Sequence, residues 1–502
     1  MRRIVENLLA SPFGHGSLRP MQRAVVDRLL GLGGTGAGAG LGEGEGGDAL
    51  LVLPTGGGKS LCYQLPALAL REHHGDGVTL VFSPLIALME DQVRALQRIG
   101  VRAQYINSTV SRKARVHRTR ELSEGKYDIF YATPERMDKP AFAEAIARVP
   151  GGVRLLAVDE CHCVTKWGHD LRPAYQRVGA FKKQLGDPRT VALTATATRE
   201  VREDVRRVLG ADEDSMPLFA TGIERPNLDL RVREVWDDED KVEAVKRLGD
   251  RLGGTGIVYF ALIKDLERVA PMLRRACPGR RVEIYHGRLD GREKKRIHSV
   301  FVDAEPGDGL LLCATNAFGM GVDKPDIRFI AHAQVPGSVE AYYQEVGRAG
   351  RDGEPSACEL LYAQSDLAIQ QEFCMWQNPS ADLLMRVQAT IAQRYADDDF
   401  DADDLRVDVV GKGHAHGMGG GVMEYALIDL AERGGIEPIS IQAGGQRGGG
   451  TRYRLVRELG DEEIDAGAIA AKRERDLRRL LSVVELTRAP DIAGHVERYF
   501  EL

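Results

Sequence analysis

Two short stretches of the chain contain side chains whose types and spacing could do chemistry, LPTGGGKS (53–60) and AVDECHCVTKWGHD (157–170). The first follows the apolar run ALLV and ends at the start of an expected helix. The backbone N–H groups of such a loop cradle phosphates, its lysine neutralises the β and γ charges, and its serine hydroxyl binds Mg²⁺. The pattern predicts a site for ATP and Mg²⁺, with contacts from Thr55, Gly56, Gly57, Gly58, Lys59 and Ser60.

The second stretch allows three interpretations. Zinc binding by Cys161, His162, Cys163 and His169 would need ligands that converge tetrahedrally, which three adjacent residues rarely achieve. A nucleophilic Cys161 with His162 as its base is disfavoured because neighbours in sequence point apart. The third interpretation concerns the acidic pair that opens the stretch.

Asp159 and Glu160 follow VRLLAV, which predicts a buried strand. They therefore lie at the carboxyl end of that strand, where α/β sheets place their ligands. An acidic residue there holds Mg²⁺ opposite a phosphate loop, and a second carboxylate polarises the attacking water. We interpret Asp159 as the Mg²⁺ ligand and Glu160 as the general base.

These residues need a scaffold of parallel strands. Up to about residue 330, short apolar strands such as VTLVFS, YDIFYA, TVALTAT, TGIVYF and GLLLCAT alternate with helical stretches. Continuous apolar strands between helices indicate parallel sheets covered on both faces. A polar break near residues 213–239 divides the strands into two series, so the pattern predicts two tandem α/β domains, residues 1–215 and 216–375.

The pattern changes in residues 376–502. A helix, an acidic stretch, a second helix ended by glycine and two strands around a glycine-rich turn predict a small α+β region, followed by a charged helix. Two interpretations stay open for it. One is a winged helix with Arg447 and Arg452 near the wing tip, and the other is a packing domain without nucleic-acid contacts.

Composition narrows the class of protein. The chain has 502 residues, a net charge of −6 and seven cysteines, an odd number without any C-x-x-C pair. These values favour a reducing, cytoplasmic location without disulfides, and no apolar run is long enough for a membrane span. Basic clusters at 111–120, 292–296 and 447–457 permit nucleic-acid binding, while the glycine-rich segment 31–48 predicts a flexible loop of unknown role.

The order of motifs resembles that of RecQ-family DNA helicases, within superfamily two. D-E-C-H (159–162) resembles the family's D-E-x-H box, and C-V-T-K-W-G-H-D-L-R-P-A-Y (163–175) resembles its aromatic-rich loop. F-G-H-G-S-L-R-P-M-Q (13–22) resembles the adenine-recognition motif, while 314–325 and 342–353 resemble the last two helicase motifs. Segments 83–92, 132–136, 192–198 and 225–228 also resemble family motifs, so the resemblance covers roughly residues 1–375.

The resemblance implies two RecA-like domains of the P-loop NTPase class and an ATP-dependent helicase that unwinds DNA 3′ to 5′ in repair and recombination. It implies single-stranded and tailed duplex DNA as partners, no membrane, and nothing about protein partners. It adds Arg19, Gln22 and Asp323 to the ATP contacts, Gln344, Arg348 and Arg351 to the catalytic residues, and Lys166, Trp167, His169 and Arg172 as DNA contacts.

The resemblance is incomplete after residue 375. RecQ helicases commonly follow the core with a four-cysteine zinc module, whereas no cysteine follows Cys374 here, so we expect no structural zinc. Two other functions therefore stay open. The first is a DNA-stimulated ATPase or translocase that unwinds poorly, and the second is a non-catalytic DNA-binding subunit on a helicase core.

Overall fold

The fold is that of a computed structural model, which describes residues 1–33, 46–164, 173–222, 224–319, 324–410, 421–439 and 451–501. The chain forms two compact units. The first contains Met1–Gln334, Val339–Leu361 and Ala489–Leu502, and the second contains Val335–Ser338 and Tyr362–Arg488. The first unit has two sheets, and we call the residues around each sheet the first lobe and the second lobe.

The first lobe is a parallel sheet with helices on both faces. Its strands are β1 (Ala49–Val52), β2 (Val78–Phe82), β3 (Ala103–Ile106), β4 (Ile129–Ala132), β5 (Val153–Asp159), β6 (Arg189–Thr194) and β7 (Leu218–Ala220). Its helices are α1 (Arg2–Ala10), α2 (Pro20–Leu30), α3 (Leu61–His74), α4 (Ile86–Arg98), α5 (Arg112–Ser123), α6 (Pro140–Ala147), α7 (Val178–Gln184) and α8 (Arg199–Leu209).

The strand order of this sheet brings the two chemical stretches together. Within the described part of the chain the order is β3-β4-β2-β5-β6-β1-β7, with parallel pairing throughout. β6 lies between β1 and β5, and its last residues Leu193 and Thr194 pair with Asp159 and Val52 respectively. The glycine loop after β1 and the acidic pair at the end of β5 therefore leave the same edge of the sheet.

Burial explains why these segments are strands. β1, β2 and β4 are buried at every residue, as expected for apolar runs covered by helices on both faces. One apolar cluster packs Leu51 and Leu193 against α1, α2 and α3, and another packs Leu50 and Val158 against α6, α7 and α8.

The second lobe repeats this architecture. Its strands are β8 (Leu228–Glu234), β9 (Thr255–Tyr259), β10 (Val282–Tyr285), β11 (Leu311–Ala314), β12 (Ile327–His332) and β13 (Ser356–Tyr362), in the order β10-β11-β9-β12-β13-β8. The pairs from β10 to β13 in this order are parallel. Its helices are α9 (Asp238–Leu252), α10 (Ile263–Ala276), α11 (Gly291–Asp303) and α12 (Val339–Val346).

The second unit is a small α+β region. It contains α13 (Leu367–Gln377), α14 (Ala381–Arg394), α15 (Ala402–Val410), α16 (Gly421–Glu432), the antiparallel pair β14 (Ile436–Ile439) and β15 (Arg452–Leu455), and α17 (Ala466–Arg488). Phe400, in the acidic stretch between α14 and α15, forms an antiparallel bridge with Tyr453 and is fully buried. A last helix, α18 (Ile492–Phe500), belongs to the first unit.

The predicted fold class is confirmed: two parallel RecA-like sheets in tandem, followed by helices and an antiparallel strand pair. The winged-helix interpretation and the boundaries at residues 215 and 375 stay predictions. Part of the glycine-rich segment, 34–45, and Arg447 lie outside the described residues. Among the residues that the structure describes, no helix combines the length and the apolar character that crossing a membrane requires.

Candidate active site

The glycine loop between β1 and α3 needs its glycines for two reasons. Gly56 and Gly58 have φ of 78°, a conformation that side chains rarely adopt. A Cβ on Gly57 would lie 2.8 Å from the Pro54 carbonyl oxygen, which accepts the Gly57 N–H at 2.9 Å. The loop therefore turns tightly enough for its backbone to approach a phosphate chain.

Lys59 lies inside this loop. Its Nζ donates to the carbonyl oxygen of Leu53 at 3.0 Å and more weakly to that of Pro54 at 3.4 Å. Burial lowers the pKa of Lys59, and the carboxylates of Glu160 and Asp159 oppose that shift. The Lys59 ammonium group is thus held by two carbonyl oxygens and lies near two carboxylates. An anion with more negative charge than these groups, such as a phosphate chain, can compete with them for the ammonium group.

Gln22 supports the loop from α2. Its Oε1 accepts the backbone N–H of Arg19 at 3.0 Å, and its Nε2 lies 3.2 Å from the Gly57 oxygen and 3.3 Å from the Gly58 oxygen. The structure thus brings Gln22 to the loop, whereas the Arg19 side chain is exposed. Contact of either residue with a base stays a prediction.

Asp159 is buried at the end of β5. Its Oδ2 accepts a weak hydrogen bond from Ser83 Oγ at 3.3 Å, and its backbone oxygen accepts the Tyr175 hydroxyl at 2.8 Å. Burial, then repulsion from Glu160, raises the pKa of Asp159 to about 7, while Lys59 opposes the shift. A bound cation would favour the carboxylate, which is the behaviour expected of a metal ligand.

Glu160 has the backbone and the environment of a functional residue. Its φ of 48° lies in the left-handed region, which is uncommon outside glycine. Its buried Oε2 has no hydrogen-bond partner among the described residues and lies 3.4 Å from His162 Nδ1. Glu160 Oε2 can therefore accept a hydrogen bond from a water molecule beside the glycine loop, which fits the predicted role of Glu160 in polarising the attacking water.

The cysteines and histidine beside this pair have other environments. His162 Nδ1 lies 2.8 Å from Thr194 Oγ1, so it links Glu160 to the end of β6. Burial raises the pKa of Cys161 well above its ordinary value, which disfavours a thiolate nucleophile or ligand. The described residues contain no group of three or more His, Cys, Asp and Glu that could hold a metal ion.

The second lobe adds Gln344 and Arg351 to this edge. Gln344 Nε2 donates to Thr196 Oγ1 at 3.3 Å, and Gly347 lies so close that its Cβ would be 3.2 Å from Thr55 Oγ1. A Cβ on Gly56 would lie 3.6 Å from Arg351 Cγ, and the Arg351 charge contributes to lowering the pKa of Lys59. The Arg351 side chain therefore lies against the glycine loop.

Arg348 lies elsewhere. Its guanidinium donates to the Gly319 carbonyl oxygen and is buried within the second lobe, where it also interacts with Tyr259 of β9. The structure therefore brings Arg351, but not Arg348, against the loop. A catalytic role for Arg348 stays a prediction.

Five predicted site residues, Asp323, Lys166, Trp167, His169 and Arg172, lie outside the described part of the chain. Sequence reasoning missed the supporting roles of Ser83, Tyr175, Thr194 and Thr196. All four fall in segments that resemble helicase motifs, which was the available signal. Their individual contacts depend on the distances between strand ends, and the spacing of residues along the sequence does not determine those distances.

The residues present fit ATP with Mg²⁺. Mg²⁺ prefers oxygen ligands and is usually held by one or two protein groups plus substrate phosphates. The Ser60 hydroxyl at the start of α3 and the Asp159 carboxylate are such groups, and Lys59 together with the loop amides suits the phosphates.

The chain is similar to known helicases. Residues 19–204 match the DEAD/DEAH box helicase family, and residues 240–353 match the helicase conserved C-terminal domain. The probable ATP-dependent DNA helicase RecS of Bacillus subtilis is 40% identical over 336 residues, 67% of this chain and 65% of that protein. The ATP-dependent DNA helicase RecQ of the same organism is 41% identical over 321 residues, 64% of this chain and 52% of that protein.

Among solved structures, the Mycobacterium smegmatis helicase Lhr bound to single-stranded DNA and AMP-PNP has a TM-score of 0.54 at 20% identity. The likeness covers 85% of this chain and 57% of that one, and it concerns the fold alone. The chain spans less than two thirds of the length of these three proteins.

Proposed function

The chain belongs to the RecQ family of superfamily-two helicases, and on that premise we propose that it is an ATP-dependent DNA helicase. It hydrolyses ATP with Mg²⁺, moves 3′ to 5′ along single-stranded DNA and separates the strands of tailed duplexes during repair or recombination. DNA is its partner, so we expect a DNA-associated location.

One observation carries the proposal. Lys59, the pair Asp159 and Glu160, and Arg351 share one edge of the first sheet, although Arg351 belongs to the second lobe. A hydrolytic site completed by a second lobe is the arrangement that lets ATP turnover depend on lobe closure. A simple nucleotide-binding protein would not need the second lobe's arginine there.

Each residue then has a stated task. Lys59 exchanges its carbonyl partners for phosphate oxygens, Ser60 and Asp159 hold Mg²⁺, and Glu160 Oε2 accepts a hydrogen bond from the attacking water. Mg²⁺ supplies neutralisation of phosphate charge. Arg351 stabilises charge that develops on the transferred phosphoryl group, as an arginine finger does.

We also propose that Lys166, Trp167, His169 and Arg172 contact DNA. The support is their place in the chain, because they follow a short helical turn, Cys161–Val164, which itself follows Glu160. Trp167→Ala should lower the ratio of DNA-stimulated to basal ATPase by about tenfold, since base stacking on one aromatic contributes ~1–3 kcal/mol. Trp236→Ala is the matched control, because Trp236 is 84% exposed on the second lobe.

For residues 376–502 we propose a winged helix. The support is the element order, in which α14, the strand residue Phe400, α15 and α16 precede the β14–β15 hairpin. Arg452 donates to the Asp399 carbonyl oxygen, so Arg447 is the better candidate for a phosphate contact. Arg447→Ala should reduce the salt dependence of DNA binding by about one phosphate contact, and an unchanged slope would contradict this role.

The decisive experiment measures ATPase with and without single-stranded DNA, together with strand separation on a 3′-tailed duplex. A helicase requires DNA-stimulated ATPase and separation, both lost in Lys59→Ala. ATPase without separation would leave a translocase and overturn the helicase assignment. Silence in both assays, with DNA still bound, would instead favour a non-catalytic subunit.

A further inference from the structure

Helix α18 contacts both lobes of the first unit at once. It follows α17 of the second unit in sequence but belongs to the first unit. On the second lobe it packs on α12 and β8, and at its C-terminal end it meets α8 of the first lobe. Nothing in the predicted ATP or DNA machinery accounts for this helix.

The contact with the second lobe is specific. Phe500 is fully buried, and its ring centroid lies 5.6 Å from that of Tyr343 in α12. The Tyr499 hydroxyl donates to Glu340 Oε1, also in α12, at 2.9 Å. α12 is the helix that ends just before Arg348 and Arg351, so α18 is attached to the element that presents the arginine finger.

The contact with the first lobe runs through one arginine. Arg202 of α8, only 8% exposed, donates from Nη1 to the carbonyl oxygens of Phe500 at 3.3 Å and Glu501 at 3.4 Å. These carbonyls lie at the C-terminal end of α18, where the helix dipole favours a cation. Glu501 closes the helix in a left-handed conformation, with φ of 49°, which keeps both carbonyls at this end.

α8, which carries Arg202, lies next in sequence to the segment that already contacts the second lobe. α8 directly follows the segment ALTATAT, whose Thr196 hydroxyl accepts a hydrogen bond from Gln344 of α12. The Gln344–Thr196 hydrogen bond thus joins the two lobes at the sheet edge that carries the glycine loop. Arg202 joins them a second time, through α18. The second connection is independent of the residues that touch ATP.

We propose that α18 is a strap between the lobes and that Arg202, Tyr499 and Phe500 are positioning residues for Arg351. Arg202 holds the end of α18 to the first lobe, while Tyr499 and Phe500 hold α12 to α18. The strap thereby keeps the arginine finger near the glycine loop. This inference rests on the proposed ATPase function for its kinetic consequence, but not for its structural one.

The kinetic test compares Arg202→Met with the wild-type full chain. Loss of the strap should lower kcat of DNA-stimulated ATPase by about tenfold and change KM for ATP by less than about twofold, because the finger acts mainly in the transition state. Arg202→Lys, which keeps one cationic donor, should recover about half of the lost activity on a logarithmic scale. Arg207→Met is the control, because Arg207 lies on the same helix, is exposed and pairs with Asp204. Equal kcat in wild type and Arg202→Met would overturn the proposal.

A second measurement does not depend on activity. The seven native cysteines are buried, so spin labels can be placed at Arg148→Cys on the first lobe and Arg268→Cys on the second, both exposed. The distance distribution between the labels should broaden when Arg202→Met or Tyr499→Phe is added, with the melting temperature of each variant measured alongside. An unchanged distribution would overturn the strap. ATPase silence in the wild type would overturn the proposed function and leave this distance test decisive.

Discussion

The two lobes contribute to the site in different ways. The first lobe supplies groups that already contact one another, since Lys59 is bonded to its own loop and faces Asp159 and Glu160. The second lobe supplies two arginines from one loop, of which Arg351 lies at the glycine loop and Arg348 is bonded within its own lobe. The groups of the first lobe are therefore organised without the second lobe, whereas the catalytic role proposed for Arg351 depends on where the second lobe places its side chain.

Glu160→Gln tests the first-lobe half of this comparison and should have the largest effect. Turnover should fall by about 10⁴-fold because the amide no longer accepts a proton from the attacking water. Binding of a fluorescent ATP analogue should persist, since Lys59 and the glycine loop are unchanged. Turnover within tenfold of wild type would mean that another group is the base.

Arg351→Ala tests the second-lobe half. We expect kcat to fall by about 10³-fold with little change in nucleotide affinity, because a finger stabilises charge only in the transition state. Arg348→Ala is the natural comparison, since Arg348 lies within its own lobe here. An equal loss in both variants would show that Arg348 also reaches the nucleotide during turnover, which would weaken the contrast between the two arginines.

Asp159→Asn should stabilise the protein in the absence of nucleotide and metal. The ordinary pKa of an aspartate is near 4, and burial raises that of Asp159 to about 7. Because the unfolded chain ionises first, this carboxyl destabilises the fold increasingly as pH rises from about 4 to 7, and Asn removes the effect. Thermal melts should show a gain of about 4 kcal/mol at pH 8 that largely disappears at pH 4. A gain that does not depend on pH would contradict this explanation.

Gln22→Ala should have the smallest effect. Gln22 donates to the carbonyl oxygens of Gly57 and Gly58. Losing such hydrogen bonds costs ~1 kcal/mol of loop stability, so KM for ATP should rise by about tenfold or less. Arg23→Ala is the control on the same helix, because Arg23 pairs with Asp27. A change in kcat rather than KM would contradict this and indicate that Gln22 couples nucleotide binding to the position of the second lobe.

The sequence predicts the structure best where a local run of apolar or glycine residues decides the local structure. The run before Pro54 is apolar throughout and the run before Asp159 is apolar apart from Arg154. Both are strands of one parallel sheet, as such runs predict, and their carboxyl ends meet at one edge. The glycine-rich sequence between β14 and β15 likewise predicts a strand on each side of it, and the two strands form an antiparallel pair. In these places local pattern and tertiary position agree.

The sequence predicts less where a contact depends on a distant part of the chain. β7 has three residues and β8 alternates between exposed and half-buried positions, so neither stands out as an apolar run. Arg348 and Arg351 each follow a glycine in one motif, and only their contacts in the structure distinguish them: Arg348 donates to Gly319, while Arg351 lies against Gly56. Phe400 lies in an acidic stretch, yet it is a buried strand residue because Tyr453 pairs with it from 53 residues away.

Glu160 combines a left-handed backbone with a buried carboxylate oxygen, and each of these features opposes stability. Libraries of this chain that are selected for heat resistance alone should therefore accumulate Gly or Asn at position 160, since both residues tolerate positive φ. Libraries selected for ATP turnover should retain Glu. Deep sequencing of the two pools would then locate the reaction centre from the conflict between the two selections, without any bound nucleotide.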